Sequence, residues 1–222
     1  MIETIGITKI YNPGKPNQVI ALKDVDVKIE GGAITGFVGP SGCGKTTLMG
    51  IVGLLLTATK GRILIGGEDV TSYSDNWKTL FRRKNMGFIY QHINLLPQLT
   101  ALENAMLPLL CRDISPQKYR EKTIELFKKL GILERLNFQV EQLSGGEQQR
   151  VAIVRALLTD PEIVIADEPL TFVDIQTAKI TLELFDELRR EGKAIALSTH
   201  SAELLKVADK IYSMDRGLIK KT

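Results

Sequence analysis

The sequence is short of several things, and each shortage removes a class of protein. Two cysteines, Cys43 and Cys111, are too few for a disulfide framework and stand in no metal-ligand spacing. A reduced protein is the expectation. No apolar run approaches the ~18 residues that would suggest a membrane span; residues 51–56 are typical. The opening Met1-Ile2-Glu3-Thr4 lacks the basic, apolar, small-residue progression of a secretory leader, so the chain is expected to stay in the cytosol. Charge of one sign is lacking too. With 29 Lys and Arg against 26 Asp and Glu the net charge is +3, too little for a nucleic-acid surface. Apart from Arg82-Arg83-Lys84 and Lys220-Lys221, basic residues alternate with acids, as on a solvated surface. There is no low-complexity stretch and no solenoid-type repeat.

What remains is an ordinary globular composition, and 222 residues suffice for one large domain with a proper core. Val25, Val27 and Ile29 alternate with Asp24, Asp26 and Lys28, the period of a half-buried strand. The turn-rich stretch Asn12-Pro13-Gly14 to Pro16-Asn17 precedes them, so an antiparallel strand pair is expected to open the chain. Further strands are expected at 33–38, 62–65, 86–90, 162–166, 193–198 and 210–214. Helices are expected at 44–56, around 77–81, over 103–130, at 175–190 and at 201–207. In the long helical stretch Ile124, Phe127 and Leu130 share one face. Buried strands alternating with helices predict an α/β fold with a largely parallel sheet. The expected division is a core of about 1–91 and 151–222, with a helical subdomain of about 92–150 inserted into a single domain.

Gly39-Pro40-Ser41-Gly42-Cys43-Gly44-Lys45-Thr46 fits G-x-x-x-x-G-K-[ST] at every fixed position, after an expected strand and before an expected helix. Glycines let backbone N–H groups converge on a phosphate, and the following helix adds its positive end. Lys45 is expected at the β- and γ-phosphates, the Thr46 hydroxyl at Mg²⁺, and Thr47 continues the cradle. The apolar run 163–166 ends in Asp167-Glu168, at the sheet edge where ligands bind in open α/β folds. Asp167 suits Mg²⁺ and Glu168 suits the activation of water; the plain alternative is an acidic turn before Pro169. A second glycine motif, Leu143-Ser144-Gly145-Gly146-Glu147-Gln148-Gln149-Arg150, places a natural N-cap and a Gly-Gly pair before a helix, and reads as a second anion site or as a capping turn.

These motifs, with Gln91 in Phe88-Ile89-Tyr90-Gln91 and with His200, occur in the order and spacing of the ATP-binding cassette (ABC) transporter ATPases, which the chain resembles throughout its length. The resemblance implies a P-loop NTPase fold with N-terminal antiparallel strands and a helical subdomain. It implies ATP and Mg²⁺, and a head-to-tail pair of copies in which each ATP lies between one phosphate loop and the other copy's Ser144, Gly145, Gly146 and Glu147. It further implies that Gln91 contacts Mg²⁺ and the attacking water, that His200 contacts the γ-phosphate, that Tyr11 stacks on adenine and that Asp174 sits at the dimer contact. Taken singly, His200 reads equally as a structural histidine, Gln91 as a surface residue, Asp174 as a helix cap and Tyr11 as an edge-strand aromatic. Cys43 holds a variable position in the loop; its alkylation is expected to hinder ATP binding sterically. The chain departs from the family pattern at Phe172, where a small residue is usual, and at Ser201, where Asp often follows the histidine.

Arg82-Arg83-Lys84-Asn85-Met86-Gly87-Phe88 and the segment from Asn94 to Asn104 are similar to the lipoprotein-release and macrolide-exporter group. That similarity implies a separate membrane permease, with the chain peripheral on the inner face of the membrane. Leu95, Leu96, Leu99 and Leu102 are either part of the permease docking surface or core residues. A DNA-repair or chromosome-organising ATPase head shares the motifs but needs a long coiled-coil insertion. A translation factor of this kind carries two cassettes.

Overall fold

Two kinds of strand pattern build the molecule, alternating ones that face water on one side and continuous apolar ones that do not. The computed structural model describes residues 1–110, 115–171, 173–200 and 202–220. Cys111, Phe172, Ser201 and Lys221 lie outside the described residues. The alternating strands are β1 (Ile2–Tyr11), β2 (Val19–Ile29), β4 (Lys60–Ile65) and the two-residue β5 (Glu68–Asp69). They form an antiparallel sheet of order β2-β1-β4-β5. Val25, Val27 and Ile29 are buried in it, as the alternation predicts.

The continuous strands are β3 (Ala33–Val38), β6 (Met86–Ile89), β7 (Ile163–Asp167) and β8 (Ala194–Ser198), and the more polar β9 (Lys210–Asp215) and β10 (Leu218–Ile219) extend their sheet. Their order is β10-β9-β3-β8-β7-β6. The pairs β9·β3, β3·β8, β8·β7 and β7·β6 are parallel, and β10 is antiparallel to β9. Both faces of β3, β6, β7 and β8 are covered, which is why they carry no polar side, whereas β9, toward the sheet edge, leaves Lys210 and Ile211 exposed. Ile163, Ile165, Ala194 and Ala196 join a core that includes Ile2, Ile7 and helix α1 (Lys45–Val52), lying between the two sheets. Val164, Ala166, Ile195 and Leu197 face the other way, onto helices α5 (Gly145–Leu157) and α6 (Ile175–Arg190). The period-two alternation of side chains sends each half of these strands into a different core.

The remaining helices are α2 (Asp75–Asn85), α3 (Ala101–Leu110), α4 (Pro116–Lys129) and the short α7 (Ala202–Lys206). Three differences from the sequence expectation have local causes. The helix after the phosphate loop ends at Val52, not Leu56, because Gly53 caps it and Leu54 turns the chain with φ 57°. The helix around 77–81 is longer, since Ser74 accepts from the Trp77 amide at 3.3 Å and starts it at Asp75. The stretch 103–130 is two helices, the second opening with proline in its first turn, where a missing N–H costs nothing. Phe127 and Leu130 are buried as the shared face requires. Helix α5 runs unbroken from the helical segment into the core, and Gln149 on it donates to the Pro169 carbonyl at 3.0 Å.

Candidate nucleotide site

Five parallel strands deliver their carboxyl ends to one edge of the main sheet. β3 leads into the phosphate loop, β8 ends before His200, β7 ends at Asp167 with Glu168 next, and β6 ends shortly before Gln91. A cleft of about 810 Å³ opens there, bordered by Ser41, Gly42, Gly44, Lys45, Thr46, Thr47, Gln91, Glu168 and His200. The loop is built to bring main chain close. Gly44 has φ 109°, and a Cβ there would meet the Ala21 carbonyl at 2.5 Å. A Cβ on Gly39 would overlap the Met214 carbonyl. Helix α1 begins at Lys45 after Gly44 at the N-cap, with no side-chain cap and no acid in its first turn, so its first amides remain available to an anion.

Lys45 is buried, and its ammonium is fully engaged: the Gly39 carbonyl lies at 2.8 Å, the Pro40 carbonyl at 3.4 Å and His200 Nε2 at 3.1 Å. That same Nε2 lies 3.3 Å from Glu168 Oε1. One ring nitrogen serves one partner at a time: unprotonated it accepts from Lys45, protonated it donates to Glu168. The His200 amide adds a bond to Glu168 Oε2 at 3.3 Å, and the Thr171 hydroxyl lies 3.4 Å from the same oxygen. Glu168 itself sits at φ 50°, a conformation that a non-glycine residue holds only where surrounding contacts impose it. Its amide donates to the Ser198 carbonyl at 3.0 Å.

Asp167 is buried at the end of β7 and accepts from the Ser198 hydroxyl across the β7·β8 ladder. Thr46, Gln91 and Asp167 offer only oxygen donors, one of them a carboxylate. That set fits Mg²⁺, which is commonly held by one or two carboxylates together with substrate phosphates. Among the described residues no cluster of three or more His, Cys, Asp or Glu competes as a metal site.

The second glycine turn stands apart. Neither Ser144, Gly145, Gly146 nor Glu147 borders the cleft. Ser144 caps α5: its hydroxyl accepts from the Glu147 amide at 3.3 Å, while the Glu147 carboxylate takes the Ser144 amide at 2.8 Å and pairs with Arg135 Nε at 2.7 Å. Gly145 has open space where a Cβ would stand; Gly146 faces Asp174, whose Oδ2 would lie 2.5 Å from one. Asp174 caps α6 by accepting from the Thr177 amide at 2.8 Å. The capping reading of Asp174 therefore holds within one chain.

Two expected site residues lie away from the border of the cleft. Cys43 does not point into the cleft. Its side chain is buried between the sheets, so an alkylating reagent reaches it only when the loop opens. Tyr11 does not border the cleft either; it is partly exposed, with the Lys9 ammonium 5.1 Å from its ring centre. Its ladder partner Val19 does border it, with Ile20, and both are exposed apolar residues that the sequence reading did not single out. The reading also missed Ser198 and Arg155, whose guanidinium holds the carbonyls of Asn94 at 2.7 Å and Ile93 at 2.9 Å and so fixes the chain just after Gln91. Only three-dimensional register reveals either. The leucines of the helical segment divide: Leu95 packs on the core, Leu96 is exposed, and Leu99 and Leu102 are half-buried.

Comparison with known proteins agrees with this geometry. The ABC transporter family matches residues 22–171. An ABC transporter ATP-binding protein of Methanocaldococcus jannaschii, MJ1508, is 42% identical over 99% of this chain and 97% of its own length. The lipoprotein-releasing system ATP-binding protein LolD of a Jannaschia species is 39% identical over 96% of this chain and 94% of its own. The solved dimeric post-hydrolysis state of the cassette MJ0796, bound to ADP and Pi, superposes with a TM-score of 0.93 at 34% identity, covering 100% of this chain and 97% of that one. The chain belongs to the ATP-binding cassette transporter family.

Proposed function

We propose that this ATP-hydrolysing cassette works as a head-to-tail pair closing around two Mg·ATP, and that the cycle drives a separate membrane permease of the export or lipoprotein-release type. One observation carries the reading. The cleft gathers Lys45, Glu168, His200 and Gln91, while Ser144 and the Gly-Gly pair lie outside it, so a complete site needs a second copy. The dimeric state of MJ0796 with ADP and Pi supports the same arrangement, and likeness to LolD supports the transport class.

In this reading ATP draws Lys45 off the Gly39 and Pro40 carbonyls and onto its β- and γ-phosphates. Amides of the loop and of α1 hold the remaining phosphate oxygens. Thr46, Gln91 and Asp167 hold Mg²⁺, which when bound neutralises phosphate charge. Glu168 takes the proton of the attacking water, whose oxygen bonds to the γ-phosphorus as the bond to ADP breaks; His200 and Gln91 orient that water. Ser144, Gly145, Gly146 and Glu147 of the second copy face the same ATP, Asp174 lies at the contact, and Tyr11 stacks on adenine beside Val19. Loss of the γ-phosphate removes the charge that holds the two copies together, and they part.

The core of 1–91 and 151–222 and the helical subdomain of 92–150 then move against one another to work the permease. A groove of about 470 Å³ bordered by Leu55, Arg82, Tyr90, Asn94, Pro108 and Arg155 adjoins the loop that Arg155 fixes, which suits a cytoplasmic helix of the permease. The chain is cytoplasmic and peripheral in this reading; no described helix is long and apolar enough to cross a membrane.

The test is Glu168→Gln. ATP binding is retained, hydrolysis falls by about 10²- to 10⁴-fold, and gel filtration with ATP shows a trapped dimer. Hydrolysis at the wild-type rate would assign the base to another group. Recovery from detergent extracts with a permease, and not with DNA or ribosomes, tests the transport class.

A further inference from the structure

The cleft has a second charged wall that plays no part in the hydrolytic end. Strand order fixes where it lies. From β3, the sheet runs in one direction through β8 and β7 to β6, which bring His200, Asp167, Glu168 and Gln91. In the other direction the neighbour is β9, parallel to β3, and its carboxyl end leads to Arg216 and Gly217. Both border the cleft, together with Val19, Ile20 and Ala21 of β2. Arg216 is thus on the side of the phosphate loop away from the γ-phosphate position.

The turn itself is unusual for its residue. Asp215 pairs with Leu218, leaving Arg216 and Gly217 as a two-residue hairpin loop with φ 47° and 78°. Positive φ at both positions defines the turn type that favours Asn-Gly, and a long side chain at the first position is disfavoured there. The backbone is held firmly: the Gly217 amide donates to the Cys43 carbonyl of the phosphate loop at 2.9 Å, and the Lys23 amide donates to the Gly217 carbonyl at 2.8 Å. The Arg216 side chain, by contrast, makes no hydrogen bond or ion pair with any described residue. A rigid turn therefore presents an uncommitted guanidinium to the cleft, at a position where local conformation prefers asparagine. A strained residue facing a ligand cleft is where binding function concentrates.

We propose that Arg216 is a nucleotide-binding residue that grips the base–ribose half of the bound nucleotide, opposite the exposed apolar pair Val19 and Ile20. A planar cation suits the face or edge of a purine and the ribose oxygens, and a site that is apolar on one side and guanidinium on the other matches that half of the ligand. The inference rests on the nucleotide reading above.

Arg216→Asn separates this role from a structural one, because asparagine is the preferred residue in such a turn. The expected result is unchanged or higher thermal stability without ligand, with affinity for both ATP and ADP lower by about tenfold. Affinity for magnesium tripolyphosphate, which has no base or ribose, stays at the wild-type value. Arg216→Lys keeps the charge but loses the planar fork, and falls between. Unchanged ATP and ADP affinity in Arg216→Asn overturns the proposal, and so does an equal loss for tripolyphosphate, which would make Arg216 a phosphate contact. Should the wild-type protein take up neither nucleotide nor tripolyphosphate, the nucleotide reading fails instead.

Discussion

The two glycine turns of this molecule look alike in sequence and are finished differently in structure. Each precedes a helix whose first amides face an anion site in the proposed cycle. The turn at 39–46 is completed by its own chain: Gly39 and Gly44 are closed in by the Met214 and Ala21 carbonyls, α1 has no side-chain cap, and Lys45 folds back on the loop. The turn at 144–147 is satisfied the opposite way. Ser144 and Glu147 spend their polar groups on each other and on Arg135, and Gly145 opens on empty space. An uncapped helix start with a buried lysine is a site waiting for a ligand. A capped start with an open glycine is a surface waiting for a partner. One sequence pattern, two roles.

The widest separation between the turns is expected from Lys45→Ala. It removes the only described cation that the cleft aims at phosphate from within the loop, and hydrolysis should fall by at least about 100-fold with nucleotide uptake lost. Phosphate release and equilibrium binding measure it; wild-type affinity in this variant would break the contrast. Next come the two glycines of the second turn. Gly145→Ala meets nothing within 4 Å, so the melting temperature of the isolated chain should hold. ATP-driven dimerisation, measured in the Glu168→Gln background, should weaken by about tenfold or more if a partner's nucleotide packs there. Gly146→Ala places a Cβ 2.5 Å from Asp174 Oδ2 and should destabilise the single chain by about 1–3 kcal/mol. Equal effects of the two on stability would erase the distinction between open and packed glycine.

How much of this was legible beforehand depended on whether the signal was local. The phosphate loop, the Asp167-Glu168 pair and helix α6 could be read because spacing, apolar runs and caps lie within a few residues of each other. Gln91 and His200 carried meaning only as part of a set, through family resemblance, while the Gly145-Gly146 pair read locally as an anion site or a capping turn without saying which. Ser198 and Arg155 could not be read at all. Ser198 matters because β8 lies beside β7 with Ser198 opposite Asp167, and Arg155 because α5 passes under the carbonyls of residues 93 and 94. The direction of the Cys43 side chain was unreadable for a related reason: nothing in a loop motif says which way a variable side chain points, and here the inter-sheet core takes it. The strands β5 and β10 are two residues each, too short for any periodicity to register.

A smaller effect tests the capped turn alone. Ser144→Ala removes the side-chain acceptor of α5 and should cost about 1 kcal/mol, a drop of roughly 2–4 °C in Tm for a domain of this size. The corresponding change at Thr46, one residue into α1, should leave stability nearly untouched, since α1 has no side-chain cap to lose.

The smallest expected effect is on pH dependence, and it isolates Glu147. Burial by itself raises the Glu147 carboxyl, but hydrogen bonds from Arg135 and from the Ser144 amide and hydroxyl, with the Arg135 charge, outweigh it and leave the pKa below its ordinary 4.5. A carboxylate whose folded pKa is depressed binds fewer protons folded than unfolded around that value. Its stabilising contribution is therefore complete above the unfolded pKa and is lost as pH falls through the folded one. Glu147→Gln should accordingly melt below wild type at pH 7, with the gap closing as pH drops below about 4.5. Arg135→Gln should behave likewise, because it removes the partner that does most to hold the carboxyl charged. A gap that stays constant down to pH 3 would mean that Glu147 contributes through shape and not through charge. The capping box would then hold the second turn without help from Arg135.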